Sequence, residues 1–225
     1  MAARTTLSYS VLGLLALRPM NAYDLVQGYT RSLGQVMSRS EAAIYAEPKR
    51  LEADGLVMST DEVRGRRMVS IYAITDAGRA ELRAWLATPT GFPQVDAEPA
   101  LRVVFADQGD PEHLRATIVT FREQAMARAI GLHAIASEYR DGVGLYQGRA
   151  LFAAMSGRFV TDLIVSYVRW CDWALEQLDE IDRGSTGEHA GALTSATAQA
   201  RAVGAFADIA DLLGDVIGAQ PARDR

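Results

Sequence analysis

The chain opens with apolar residues at helical spacing. Leu7, Val11, Leu12, Leu14 and Leu15 predict a buried helix over Thr6–Leu17. Arg18-Pro19 ends it, because proline has no amide proton to donate and its ring crowds the preceding turn. Asn21 is a good N-cap for a second helix, Ala22–Ser32, with Tyr23, Leu25, Val26 and Tyr29 at its apolar positions. A third helix should begin near Ser38 or Ser40 and run to about Ala53, where Asp54-Gly55 supplies a stop. Two short runs rich in apolar and β-branched residues, Leu56–Val63 and Met68–Ile74, flank Arg64-Gly65-Arg66-Arg67 and read as a β-hairpin. Thr75 caps a fourth helix, Asp76–Ala87, with Leu82, Trp85 and Leu86 along its apolar edge.

The order helix, helix, helix, hairpin, helix is that of a winged helix. Thr88–Pro93 marks a boundary, and the pattern beyond it is wholly helical. After Pro99–Asp107 comes Pro111–Tyr139, with Leu114, Ile118, Phe121, Ala125 and Ala129 on one stripe. Leu151–Ile181 carries Phe152, Met155, Phe159, Leu163, Tyr167, Trp170, Trp173, Ala174, Leu178 and Ile181. Such a helix is about 45 Å long, more than a small domain covers, and predicts packing on another subunit. Arg183–Leu193 reads as a linker, and Ser195–Ile217 as a last amphipathic helix with Val203, Phe206, Ala210, Leu213 and Ile217 aligned. The expected fold class is mainly α: an N-terminal winged helix-turn-helix of three helices plus a β-hairpin wing, then an α-helical dimerisation domain. Expected boundaries are 1–88 for the winged helix, 89–183 for the dimerisation domain, and 184–225 for the linker and extra helix.

At 225 residues and 49% hydrophobic, the chain has material for one small core and a second helical domain. No unbroken run approaches the ~18–20 apolar residues of a membrane span, and the N-terminus does not read as a signal peptide. The single cysteine, Cys171, excludes an intramolecular disulfide and fits a reducing compartment. A cytoplasmic protein without a membrane partner is expected. The net charge of −5 is unevenly spread: residues 1–88 carry 11 Lys and Arg against 9 Asp and Glu, the remainder 12 against 19. A basic module joined to an acidic one suits a nucleic-acid-binding head on a non-binding body.

Enzyme chemistry finds little footing. His113, His133 and His189 are scattered without metal-ligand spacing, and no serine sits in a Gly-x-Ser-x-Gly turn. There is no glycine-rich nucleotide loop, and Cys171 has no histidine near it in sequence. The expectation is no enzyme, no cofactor and no metal.

The third helix and hairpin hold the densest candidate chemistry. If Ile44 and Leu51 face the core, then Ser40, Glu41, Tyr45, Lys49 and Glu52 lie on or near the other face. Small polar residues at the helix start, Ser38 and Ser40 among them, suit close approach to base edges. Tyr45 and Lys49, one turn apart, suit phosphate oxygens. The alternative is a half-buried tyrosine beside a solvated lysine. Arg64, Gly65, Arg66 and Arg67 form the densest basic cluster, fit for a phosphate backbone or a narrow minor groove; the alternative is an ordinary charged turn. Pro48 lies inside the third helix and is expected to bend it, or to split it near Glu47.

The run Ala43-Ile44-Tyr45, Lys49-Arg50-Leu51-Glu52, Asp54-Gly55-Leu56-Val57 resembles the recognition helix of PadR-family regulators. Tyr72-Ala73-Ile74-Thr75 leading to Gly78, Leu82, Trp85 and Leu86 is similar to the same family, as is Glu98–Ala106 to the start of its helical dimerisation domain. The resemblance covers about residues 7–181. It implies a homodimer joined through C-terminal helices that binds an inverted-repeat operator in double-stranded DNA, with Tyr45 and Lys49 in contact, and a repressor's role. It also implies release by an aromatic or drug-like small molecule. Trp85, Phe159, Tyr167, Trp170 and Trp173 are the aromatic candidates for such a site, although core or interface packing is the simpler explanation of them. A winged helix used only for protein contact is the alternative function.

Overall fold

The computed structural model describes residues 4–34, 36–65, 67–93, 95–184 and 196–218. Their order is α1 (Thr6–Leu17), β1 (Met20–Asn21), α2 (Ala22–Ser32), α3 (Glu41–Ala53), β2 (Val57–Arg64), β3 (Arg67–Ile74) and α4 (Asp76–Leu86). There follow α5 (Glu98–Val104), α6 (Pro111–Arg140), α7 (Ala150–Gly184) and α8 (Ala196–Gly218). The chain forms two compact units, one of Met1–Gln94 with Arg128–Asp162, the other of Val95–Ala127 with Leu163–Arg225. The fold is mainly helical, with a winged helix at its N-terminal end.

Side chains start the first four helices where the sequence places them. Thr5, Asn21, Ser40 and Thr75 each accept a hydrogen bond from the backbone N–H three residues on. Each such cap stabilises its helix by about 1 kcal/mol relative to alanine. Val11, Leu12 and Leu15 of α1, Leu25, Val26 and Tyr29 of α2, and Ile44 and Leu51 of α3 meet in one core, closed by Leu56, Val57, Tyr72 and Ile74 of the hairpin. Tyr23 is not part of it. It lies two residues before Leu25, half a turn around α2, and is 63% exposed.

The sheet has three strands in the order β1-β3-β2, all antiparallel. The hairpin register pairs Val57 with Ile74 and Arg64 with Arg67. The two-residue strand β1, which local periodicity cannot reveal, adds Met20 opposite Tyr72 and Asn21 opposite Ile71.

In the second unit α6 and α7 run antiparallel. Leu114 and Ile118 pack with Cys171, Ala174 and Leu178. Arg115 reaches Asp179 at 2.7 Å and Asp182 at 2.9 Å, and Arg122 reaches Asp172 at 2.6 Å. Helix α8 joins the end of α7 through an Arg201–Glu180 ion pair and a bond from Arg201 Nε to Gln177 Oε1 of 3.1 Å.

One expectation needs amending. The helical stretch Gln147–Arg183 is long and apolar enough to cross a bilayer, with an 18-residue window of mean hydropathy 1.3. A search for unbroken apolar runs misses it because Arg158 and Asp162 interrupt the pattern, paired to each other at 2.8 Å. A charged residue at mid-bilayer costs roughly 2.5–3.5 kcal/mol, so two of them oppose a lipid environment.

Candidate nucleic-acid interface

Helix α3 divides cleanly into two faces. Ile44, Glu47, Pro48 and Leu51 are buried; Glu41, Tyr45 and Lys49, at i, i+4 and i+8, form an exposed ridge. Tyr45 is 40% exposed. Ser38 and Ser40 are exposed at the start of the helix, and Ser40 is also its cap. Glu52 is only partly exposed and accepts a 2.6 Å bond from Ser59 Oγ of β2, so it ties the helix to the wing.

Pro48 neither ends nor splits α3, which runs unbroken from Glu41 to Ala53. The reason lies in its surroundings. The pyrrolidine ring is fully buried, and the neighbouring Glu47 carboxylate anchors the same turn. Glu47 takes Arg50 through Oε1 at 2.6 Å and Oε2 at 3.1 Å, and Arg50 Nη2 also donates to Ser8 Oγ of α1 at 2.6 Å. The Glu47 bond holds the Arg50 pKa above its ordinary value. Sequence reasoning took neither residue as a site, because a Glu three residues before an Arg is common on any exposed helix face.

Arg39 was also passed over. It is exposed between Ser38 and Ser40, donating to the Ser38 carbonyl at 2.9 Å and to Thr6 Oγ1 at 3.3 Å. An arginine between two serines at the mouth of this helix was the available signal.

The wing turns tightly. Arg64 and Arg67 face each other across the ladder with two residues between them, and Gly65 has φ +64°. A two-residue hairpin loop needs this left-handed geometry, which glycine adopts without a β-carbon penalty. Below the tip, Val63 and Met68 form an exposed apolar cross-strand pair. Arg66 lies outside the described residues, as does 185–195, which contains most of the expected linker.

The aromatic candidates fall in both units. Trp85 of α4 stacks on Tyr9 of α1, centroids 4.6 Å apart and planes at 8°, while the Tyr9 hydroxyl donates to Glu81 at 3.1 Å. Burial and that carboxylate push the Tyr9 pKa up. In the second unit Phe121 of α6 meets Tyr167 at 5.5 Å and Trp170 at 6.1 Å. Trp173 is exposed in that unit, and Phe159 is exposed in the first.

Two family models match the chain: the transcriptional regulator PadR-like family over residues 11–84, and virulence activator alpha C-term over residues 97–179. The negative transcriptional regulator PadR of Bacillus subtilis is 32% identical over 89 residues, 39% of this chain and 49% of that protein. The chain thus spans about half the length of the curated relatives it matches. The crystal structure of B. subtilis PadR in complex with operator DNA superposes with TM-score 0.67 at 22% identity, covering 77% of this chain and 99% of the other. The structure of the same protein in complex with p-coumaric acid gives TM-score 0.62 at 23% identity, covering 78% and 99%. At these identities the structural likeness establishes the fold. The chain therefore carries a PadR-like transcriptional regulator family domain at residues 11–84, followed at 97–179 by a domain of the virulence activator alpha C-terminal kind.

Proposed function

We propose that the chain is a homodimeric, sequence-specific DNA-binding regulator of transcription, acting in the cytoplasm as a repressor that a small aromatic or drug-like molecule releases. It is read as a binding protein, not an enzyme. The observation that carries this reading is the exposed α3 ridge of Glu41, Tyr45 and Lys49 beside an arginine-tipped wing. A B-DNA major groove admits a helix of this kind, and phosphate contacts from Tyr45, Lys49 and the wing would fix its register. The operator contacts assigned are Ser38, Ser40, Glu41, Tyr45, Lys49 and the tip 64–67, with Arg39 as an added phosphate contact.

Residues 1–88 are assigned to DNA binding, 89–183 to dimerisation, and 184–225 to a linker and an added helix. Support for the dimer comes from α7, whose Leu151, Phe152, Met155 and Phe159 are exposed. The Arg158–Asp162 pair among them favours a protein surface over lipid as their cover. For the effector, the rings of Phe121, Tyr167 and Trp170 offer an aromatic surface, with Trp173, Phe159 and Trp85 as the other candidates. B. subtilis PadR, crystallised with operator DNA and with p-coumaric acid, is the precedent for both partners.

A gel shift of the chain on its own upstream DNA, titrated with salt, tests the reading. A specific shift that salt weakens is expected, and p-coumaric acid serves as the first effector probe. No shift at low salt would sink the DNA reading and leave a winged helix used for protein contact.

A further inference from the structure

We infer that α8 is a second self-association seam, which pairs with α8 of another copy of this chain and reinforces the dimer proposed above. Its apolar residues repeat with heptad spacing: Val203, Phe206, Ala210, Leu213 and Ile217 alternate in steps of three and four. Ile209 widens the stripe. Val203, Phe206, Ile209 and Leu213 are 45–73% exposed, an apolar patch on the order of 400 Å², the size at which surface patches mark interaction sites.

Contacts within the chain use another side of the helix. Arg201 binds Glu180 and Gln177 of α7, and Ala198, Arg201 and Ala205 are the partly covered positions. That leaves the stripe from Val203 to Leu213 without a neighbour among the described residues of α7 that α8 grips.

The charges identify the occupant. Asp208, Asp211 and Asp215 are the charged residues between 202 and 218, and all fall at the outer b and f positions of the heptad. The positions that flank the seam hold small or apolar residues, Ala207, Ile209 and Gly214. Two identical helices therefore meet along this stripe without opposing like charges, and Ala207 and Gly214 allow a close approach. An anionic lipid surface fits poorly, because helices that lie on membranes carry Lys and Arg on the polar face. The helix lies beyond residue 179, where the second family model stops. Two such faces bury about 800 Å² when apposed, too little alone for a stable dimer but a useful addition to an interface made by α7.

Sedimentation equilibrium on the full chain and on the F206D/L213D variant tests this. The dissociation constant of the variant dimer should rise at least tenfold, with an unchanged thermal melt of the winged helix. Ala210 stands at the centre of the seam, where parallel pairing sets it against its own copy and antiparallel pairing sets it against Leu213 of the other copy. Under mild oxidation Ala210→Cys alone should therefore cross-link in a parallel pair, or Ala210→Cys mixed with Leu213→Cys in an antiparallel one, while Asp208→Cys on the outer face should not; the native Cys171 is buried. A dimer with an unchanged dissociation constant in F206D/L213D, or no cross-link in either arrangement, overturns the α8 seam alone. A chain that is monomeric at every concentration overturns both this seam and the proposed dimer. Co-sedimentation of the chain with phosphatidylglycerol vesicles, lost in F206D/L213D, would give α8 to a membrane instead.

Discussion

The Tyr146 hydroxyl stands 2.8 Å from the point that a β-carbon on Gly28 would occupy. Tyr146 belongs to the turn between α6 and α7, and it packs against the core of the winged helix. The Arg31–Glu138 ion pair of 2.7 Å fastens the same segment to α2. Gly28 therefore leaves room for a tyrosine that carries the outer ends of the long helices. Gly28→Ala should lower stability by about 1 kcal/mol, even though alanine is the better helix former by about that amount. In a Tyr146→Phe background, the same change should stabilise. Urea unfolding of the four proteins in the cycle measures the coupling, and additive effects would contradict the contact.

Tyr146→Phe alone should raise stability. The hydroxyl is buried with no hydrogen-bond partner among the described residues, and an unmet group of this kind costs roughly 1–3 kcal/mol. Denaturant midpoints at neutral pH decide the matter.

Alkali should destabilise the first unit. Burial raises the pKa of Tyr9, Tyr29, Tyr72 and Tyr146 above the ordinary 10.0. The native state keeps these protons where the unfolded chain gives them up. Their contribution is therefore complete below about pH 10 and is lost as pH rises through the native values. Urea midpoints from pH 8 to 11 should fall over the upper part of that range, less steeply in Tyr146→Phe.

Arg50→Ala should cost about 2 kcal/mol, because it leaves the enclosed Glu47 carboxylate without its partner; the figure is moderated by the half-exposed guanidinium. Replacing both residues by leucine should recover much of the loss. Thermal melts of the single and double variants provide the comparison.

On DNA, Lys49→Ala should reduce the salt slope of operator binding by about one, and Arg66→Ala with Arg67→Ala by about two, at roughly 0.9 per phosphate contact. Fluorescence anisotropy across a salt series reads both. A slope unchanged in the wing variant would remove the wing from the contact surface.

Much of the fold was legible because it is built from long periodic segments. The leucines of α1, the paired apolar runs of the hairpin and the stripe on α6 each announce their element locally. Tyr23 misled because its apolar character says nothing about which side of a short helix it occupies. The split expected near Glu47 does not occur, and the buried Pro48 ring and the Glu47–Arg50–Ser8 network around it are not visible in sequence. The ridge of Glu41, Tyr45 and Lys49 could be read from the placement of Ile44 and Leu51 alone. The ring contacts of Trp85 with Tyr9, and of Phe121 with Tyr167 and Trp170, could not, since they depend on which residues far apart in sequence meet.

The two residues of β1 carry a consequence for how the protein folds. Met20 and Tyr72 are far apart in sequence, yet the sheet is complete only when they pair. Closing so long a loop is entropically costly, and local helix formation by α1, α2 and α3 does nothing to reduce it. Strand β1 can therefore join the sheet only after β3 is in place. The rate at which β1 joins the sheet should follow the rate of forming the hairpin.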